Sequence, residues 1–143
     1  MEISFKCNFI VTYFWIIQEM KEKKQILIVD DEEDICDLIQ YHLEDNGFQT
    51  LTSNNSWDAL NLLSKNKPNL IILDLMLPGI DGLNLCRLIK EEKETSEIPI
   101  MLITARSDKQ TIDKGYEMGA SDYITKPFNC RDLVNRVYNY LYK

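Results

Sequence analysis

Five polar residues stand just past the ends of short runs that read as strands. Asp30 and Asp31 follow Ile26-Leu27-Ile28-Val29, Asp74 follows Leu70-Ile71-Ile72-Leu73, Thr104 follows Ile100-Met101-Leu102-Ile103, and Lys126 follows Asp122-Tyr123-Ile124-Thr125. Carboxylates brought within a few Å of one another repel and take up protons unless a cation lies among them. An all-oxygen cluster with open positions suits Mg²⁺, which keeps several waters and accepts one or two carboxylates plus phosphate oxygens. A carboxylate is also a nucleophile toward phosphorus and forms an aspartyl-phosphate. The equatorial oxygens of a phosphoryl group in transfer need neutralising, and a metal ion, a lysine and a hydroxyl donor do that. The set reads as a phospho-acceptor site with Asp74 as nucleophile. Each residue alone has a plainer explanation: Asp30 to Asp34 also suits the acidic first turn of a helix, Asp74 a loop cap, Thr104 a strand end, Lys126 an exposed lysine. Their recurrence at the ends of successive strand-like runs is what carries weight.

The elements that must position these residues follow from periodicity. Ile26 to Val29, Leu70 to Leu73 and Ile100 to Ile103 are continuous β-rich runs, the pattern of strands buried on both faces. Phe48 to Thr52 alternates like a strand, and Asp122 to Ile124 is a short one. Between them lie helical spacings: Ile35, Leu38, Ile39 and Leu43 stopped by Asn46-Gly47; Ala59, Leu60, Leu62 and Leu63 with Ser56 as the expected cap; Leu83, Leu85, Leu88 and Ile89; Asp108 to Met118; and Leu133, Val134, Val137 and Leu141. Strand and helix thus alternate five times from residue 24 onward. That order predicts an α/β fold, a doubly wound five-stranded parallel sheet with helices on both faces and right-handed crossovers. In such sheets ligands bind beyond the carboxyl ends of the strands, where all five polar residues fall.

Composition narrows the partners. With 23 Asp+Glu against 16 Lys+Arg the formal net charge is −7. An acidic chain lacks the basic patch that displaces counterions, so nucleic-acid binding by this chain alone is not expected. Cys7, Cys36, Cys86 and Cys130 have no metal-site spacing, and one histidine, His42, far from the sheet edge, adds none. Buried or half-buried thiols in a reducing cytoplasm are expected. Residues 1–23 form a separate extension. Its apolar run Phe9 to Ile17 is too short to span a bilayer, which takes about 20 residues. Three readings fit it: an extra strand or helix docked on the domain, a membrane-surface anchor, or a translation start that belongs at Met20.

Four motifs together resemble the receiver domain of two-component response regulators: Ile26-Leu-Ile-Val-Asp-Asp-Glu32, Leu73-Asp-Leu-Met-Leu-Pro-Gly-Ile-Asp-Gly82, Ile103-Thr-Ala-Arg106 and Gly119-Ala-Ser-Asp-Tyr-Ile-Thr-Lys-Pro-Phe128. The resemblance covers about residues 24–143 and is nearest the OmpR/PhoB-like group. It implies a flavodoxin-like, receiver-type fold in the cytoplasm. It also implies phosphoryl transfer to Asp74 from a sensor histidine kinase, with a histidine phosphotransfer protein as a further partner. Asp31, Asp74 and the backbone carbonyl of Met76 would ligate Mg²⁺ directly, and Asp30 through water. Lys126 would pair with the phosphoryl oxygens, Thr104 would bond one of them, and Tyr123 would turn inward with Thr104. The Lys126–Pro127 bond would be cis. Self-association would use the helix near 108–118, the strand at 122–124 and the last helix. Here only Asp122 precedes the aromatic, where the group often has paired acids, which weighs against its usual salt-bridged dimer. The group also continues into a winged-helix domain, so the chain is read as a stand-alone receiver or a fragment.

Other functions fit less well. A phosphohydrolase would need a general acid two residues past the nucleophile, where Met76 stands. An FMN binder would need a phosphate loop where Asp30 to Asp34 would repel it. A degenerate docking receiver would not need the full polar set. Met76 and Arg106, two residues past Asp74 and Thr104, are long enough to cover the phosphoryl group, and neither is a general base. Slow self-dephosphorylation is the corresponding expectation.

Overall fold

The computed structural model describes residues 2–21 and 23–142, with side chains for 8–17 and 23–142. Helix α1 (Glu2–Lys21) precedes five strand–helix repeats: β1 (Gln25–Val29), α2 (Glu33–Asp45), β2 (Gln49–Ser53), α3 (Ser56–Lys65), β3 (Leu70–Asp74), α4 (Gly82–Glu91), β4 (Ile100–Thr104), α5 (Lys109–Glu117), β5 (Asp122–Thr125) and α6 (Cys130–Leu141). The strands form one parallel sheet in the order β2-β1-β3-β4-β5. This is the expected doubly wound architecture.

Successive strand side chains point to opposite faces, and the sheet therefore divides the core in two. Ile26, Ile28, Leu70, Ile72, Met101 and Ile103 face α2 and α6, meeting Ile39, Leu43, Leu133 and Val137. Leu27, Val29, Ile71, Leu73, Ile100 and Leu102 face the other way and meet Ala59, Leu85 and Ile89. Both faces are covered, which is why these strands read as unbroken apolar runs.

Strand β1 lies between β2 and β3, so the winding reverses between β1 and β3. Val29 is in register with Leu73 and Asp74 with Ile103. Asp30 and Asp74 therefore leave neighbouring strands at the same level, at the point where an open sheet presents a crevice.

Helix α3 starts differently from expectation. Its cap is Asn55, whose Oδ1 accepts the Asp58 N–H at 2.8 Å, and Ser56 is the first helical residue. Asp81, Asp108 and Asn129 cap α4, α5 and α6 in the same way.

Helix α1 gives the apolar N-terminal run a helical form. Phe9 and Trp15 are 67% and 69% exposed, and none of the side chains from Asn8 to Ile16 is buried. Among the described residues, α1 adds nothing to either half of the core, so the docked reading of this segment finds no packing to support it. No described helix is long and apolar enough to cross a membrane. Cys36 and Cys86 are buried and Cys130 is half-buried; the Cys7 side chain lies outside the described residues. His42 is half-buried on α2, its ring edge-on to Tyr41.

Candidate functional site

The carboxyl ends of β1, β3, β4 and β5 bring the polar residues together. Asp30 is fully buried; its Oδ1 accepts the Glu32 N–H at 2.9 Å and its Oδ2 meets Lys126 Nζ at 2.8 Å. Asp74 is almost as buried; its Oδ1 accepts the Met76 N–H at 3.2 Å and its Oδ2 meets the same Nζ at 3.1 Å. Asp31 and Glu32 stand at the exposed rim, with Glu32 Oε1 3.3 Å from Lys126 Nζ. One ligand oxygen from each of Asp30, Asp31, Glu32 and Asp74 can be chosen so that all lie within 4.8 Å of one another.

Lys126 reaches the crevice because β5 ends beside β4. Thr104 is in register with Thr125, and the Lys126 N–H donates to the Thr104 carbonyl at 2.8 Å. The Lys126–Pro127 peptide is cis, as expected. Thr104 is fully buried, and its hydroxyl accepts the Arg106 N–H at 3.4 Å. The Tyr123 ring already lies inward, and its hydroxyl donates to the Arg106 carbonyl at 2.7 Å.

The electrostatics follow from burial. Removal from water raises the Asp30 pKa above the ordinary carboxylate value, and the Asp74 charge adds to the rise; hydrogen bonds from Lys126 and the Glu32 amide oppose it. Burial works against the charged form of Lys126, but its hydrogen bonds to Asp30 and Asp74 more than reverse that, and its pKa lies above the usual lysine value. The ammonium is therefore a fixed positive charge among the carboxylates. Beneath the site, burial and then the Asp30 charge push the Cys36 thiol up to about 11.

The donor set fits a hard divalent cation: all oxygen, with carboxylates on rigid strand ends and open positions at the solvent-facing rim. Asp30, Asp31, Asp74, Thr104 and Lys126 thus assemble at one edge. Two features depart from expectation. Glu32 joins the cluster and pairs with Lys126, although the sequence placed it only in an acidic helix start. Its position directly after Asp31 was the available signal. Arg106 does not reach across the crevice: its Nε lies 3.3 Å from Asp108 Oδ1, at the start of α5, and its side chain is 57% exposed. The carboxylate that caps α5 offers the guanidinium a nearby anionic partner. Met76 is 60% exposed.

Comparison with known proteins places this geometry. The family model described as the response regulator receiver domain matches residues 26–138. The chain is 43% identical over 114 residues to the phosphate regulon transcriptional regulatory protein PhoB of Klebsiella pneumoniae, covering 80% of this chain and 50% of that protein. It is 42% identical over 114 residues to the alkaline phosphatase synthesis transcriptional regulatory protein PhoP of Bacillus subtilis, covering 80% and 47%. The chain thus spans about half the length of these curated relatives. A two-component response regulator from Clostridium difficile superposes with a TM-score of 0.79 at 31% identity, covering 83% of this chain and 96% of that one. With the family model spanning the whole sheet and the acidic crevice at its switch point, the chain belongs to the response regulator receiver domains.

Proposed function

We propose that this domain accepts a phosphoryl group on Asp74 from a phosphohistidine of a sensor histidine kinase, and that the modified state alters self-association or partner binding. The observation that carries this reading is the meeting of Lys126 Nζ with Asp30 and Asp74 at the switch point of the sheet. An Asp74 carboxylate oxygen attacks phosphorus in line. The P–O bond forms as the P–N bond breaks, and the electron pair passes to the imidazole nitrogen, which takes a proton. Lys126 neutralises a phosphoryl oxygen, and the Thr104 hydroxyl donates to another. Asp31, Asp74 and the Met76 carbonyl would hold Mg²⁺, with Asp30 acting through water. When bound, the ion supplies positive charge to the equatorial oxygens.

Residues 24–143 are the proposed receiver unit and 1–23 an extension, in a cytoplasmic protein. A histidine phosphotransfer protein is a second proposed phosphate partner. The proposed self-association surface is the α5–β5–α6 face, beneath which the buried Tyr123 ring lies. The domain is a signalling switch that catalyses only its own modification and its reversal.

Incubation with acetyl phosphate and Mg²⁺, followed by intact mass measurement, tests the assignment. A single phosphoryl adduct on the wild-type chain and none on Asp74→Asn is the expected result. An undiminished adduct on Asp74→Asn overturns it.

A further inference from the structure

Two buried serines have no part in the phosphoryl chemistry. Ser53 ends β2 and Ser56 opens α3. The Ser56 hydroxyl donates to the Pro78 carbonyl at 3.1 Å and accepts the Ile80 N–H at 2.6 Å. One fully buried side chain thereby satisfies the two backbone groups on either side of Gly79. Gly79 has φ +89°, and a Cβ there would lie 2.6 Å from Ser56 Oγ and 2.9 Å from Trp57 Nε1. The fit leaves no room for a side chain at this position.

The gripped segment is the loop that leaves Asp74 and carries the Met76 backbone. Its far end is held as well. The Gly82 N–H donates to the Leu75 carbonyl at 3.0 Å, and a Cβ on Gly82 would collide with the Asp74 carbonyl. The turn that supplies Ser56 also touches the other acidic loop. The Asp30 N–H donates to the Ser53 carbonyl at 3.1 Å, and the Ser53 hydroxyl donates to the Asn55 carbonyl at 2.8 Å. Residues 53–56 therefore bridge the two loops that bear the carboxylates.

We propose that Ser56 is a positioning residue for divalent-cation binding: by fixing the loop after Asp74 it sets the Met76 carbonyl against Asp31 and Asp74. It touches neither ion nor phosphoryl group. The inference rests on the phospho-acceptor reading of the same site. Groups that orient metal ligands from behind typically change affinity by about 10–100-fold when removed.

Calorimetric titration of Mg²⁺ into the unphosphorylated full chain tests it, with Mn²⁺ binding by electron paramagnetic resonance as a second readout. Ser56→Ala should bind about tenfold more weakly. Gly79→Ala perturbs the same contact from the other side and should weaken binding in the same direction; it decides the matter if Ser56→Ala does not fold. Val137→Ala, in the half of the core against α6, should lose stability and keep wild-type affinity. Unchanged affinity in the folded loop variants overturns the proposal, as does an equal loss in Val137→Ala. A wild-type chain that binds no Mg²⁺ overturns the underlying reading together with this one. A wild-type chain that binds Mg²⁺ alongside unaffected variants overturns the Ser56 inference alone.

Discussion

The Tyr123 hydroxyl and the Arg106 carbonyl are 2.7 Å apart, so the β5 aromatic is tied to the loop that follows Thr104. Under the proposed function, movement of Thr104 toward a phosphoryl oxygen would pass through this bond to the inward-lying Tyr123 ring of β5. Tyr123→Phe keeps the ring and removes the tie. It should cost about 1 kcal/mol of stability, the usual net value of one hydrogen bond. It should also uncouple phosphorylation from the α5–β5–α6 face: beryllofluoride should perturb the spectra of residues 109–141 less than in the wild type. Identical perturbations would show that the bond transmits nothing.

Asp30 should trade stability for ion binding. Its carboxylate is buried beside another, and burial disfavours its charged form. Asp30→Asn should therefore raise stability in chelator by about 1 kcal/mol, within the range for relieving a buried charge. The same variant should gain less stability on adding Mg²⁺, because ligand-induced stabilisation falls as the dissociation constant rises. Thermal unfolding with and without Mg²⁺ reads both effects, and a variant less stable than wild type in chelator contradicts the argument.

The persistence of the phosphoryl group should depend on Met76 and not on Arg106. Arg106 is paired with Asp108 at the start of α5, so phosphate release from Arg106→Ala should match wild type within error. Met76→Asn removes an exposed apolar side chain two residues past the acceptor and should release phosphate faster. Release rates in the presence of Mg²⁺ separate the two, and a faster Arg106→Ala would restore that side chain as a shield.

Thiol chemistry should be ordered by burial. Burial pushes the Cys36 and Cys86 thiols up to about 11, with the Asp30 charge adding at Cys36. Near pH 8 both are protonated, and only thiolates react with iodoacetamide. In a Cys7→Ser background the half-buried Cys130 should be alkylated first. Peptide mapping that finds Cys36 or Cys86 ahead of it would show that the native state opens at those sites.

Residues 1–19 should be dispensable. The family match begins at residue 26, and the described side chains from Asn8 to Ile16 are not buried. A chain beginning at Met20 should fold with unchanged phosphorylation kinetics. Loss of folded protein on this truncation would show that α1 packs on the domain.

The strand ends were legible because each buried run breaks abruptly into a polar residue, as Leu73 does into Asp74. Parallel strands have no reason to alternate, so the break is sharp. Ser56 was not legible in the same way. Asn55 and Ser56 are both good caps by residue type, and the choice between them was made by Pro78 and Ile80, more than twenty residues away. Arg106 was misplaced for a similar reason: reach alone does not give direction, and Asp108 claimed the guanidinium. Glu32 was hidden in a charge run that a helix start explains equally well. The N-terminal run has apolar residues on every side, so it carried neither the helical nor the strand period, and only the structure gave it a form.

Lys126 lies 96 residues beyond the aspartate that it meets at 2.8 Å. A polypeptide leaves the ribosome from its N-terminus, and domains fold as units during synthesis. Asp30, Asp31 and Asp74 are therefore all made before the ammonium that balances them. The cluster stays self-repelling until β5 joins the edge of the sheet. Its counter-charge is delivered by the last strand, so a chain halted before residue 126 holds the acids without the lysine. The acidic crevice thus acquires its balancing charge only when the fifth strand of this sheet is in place.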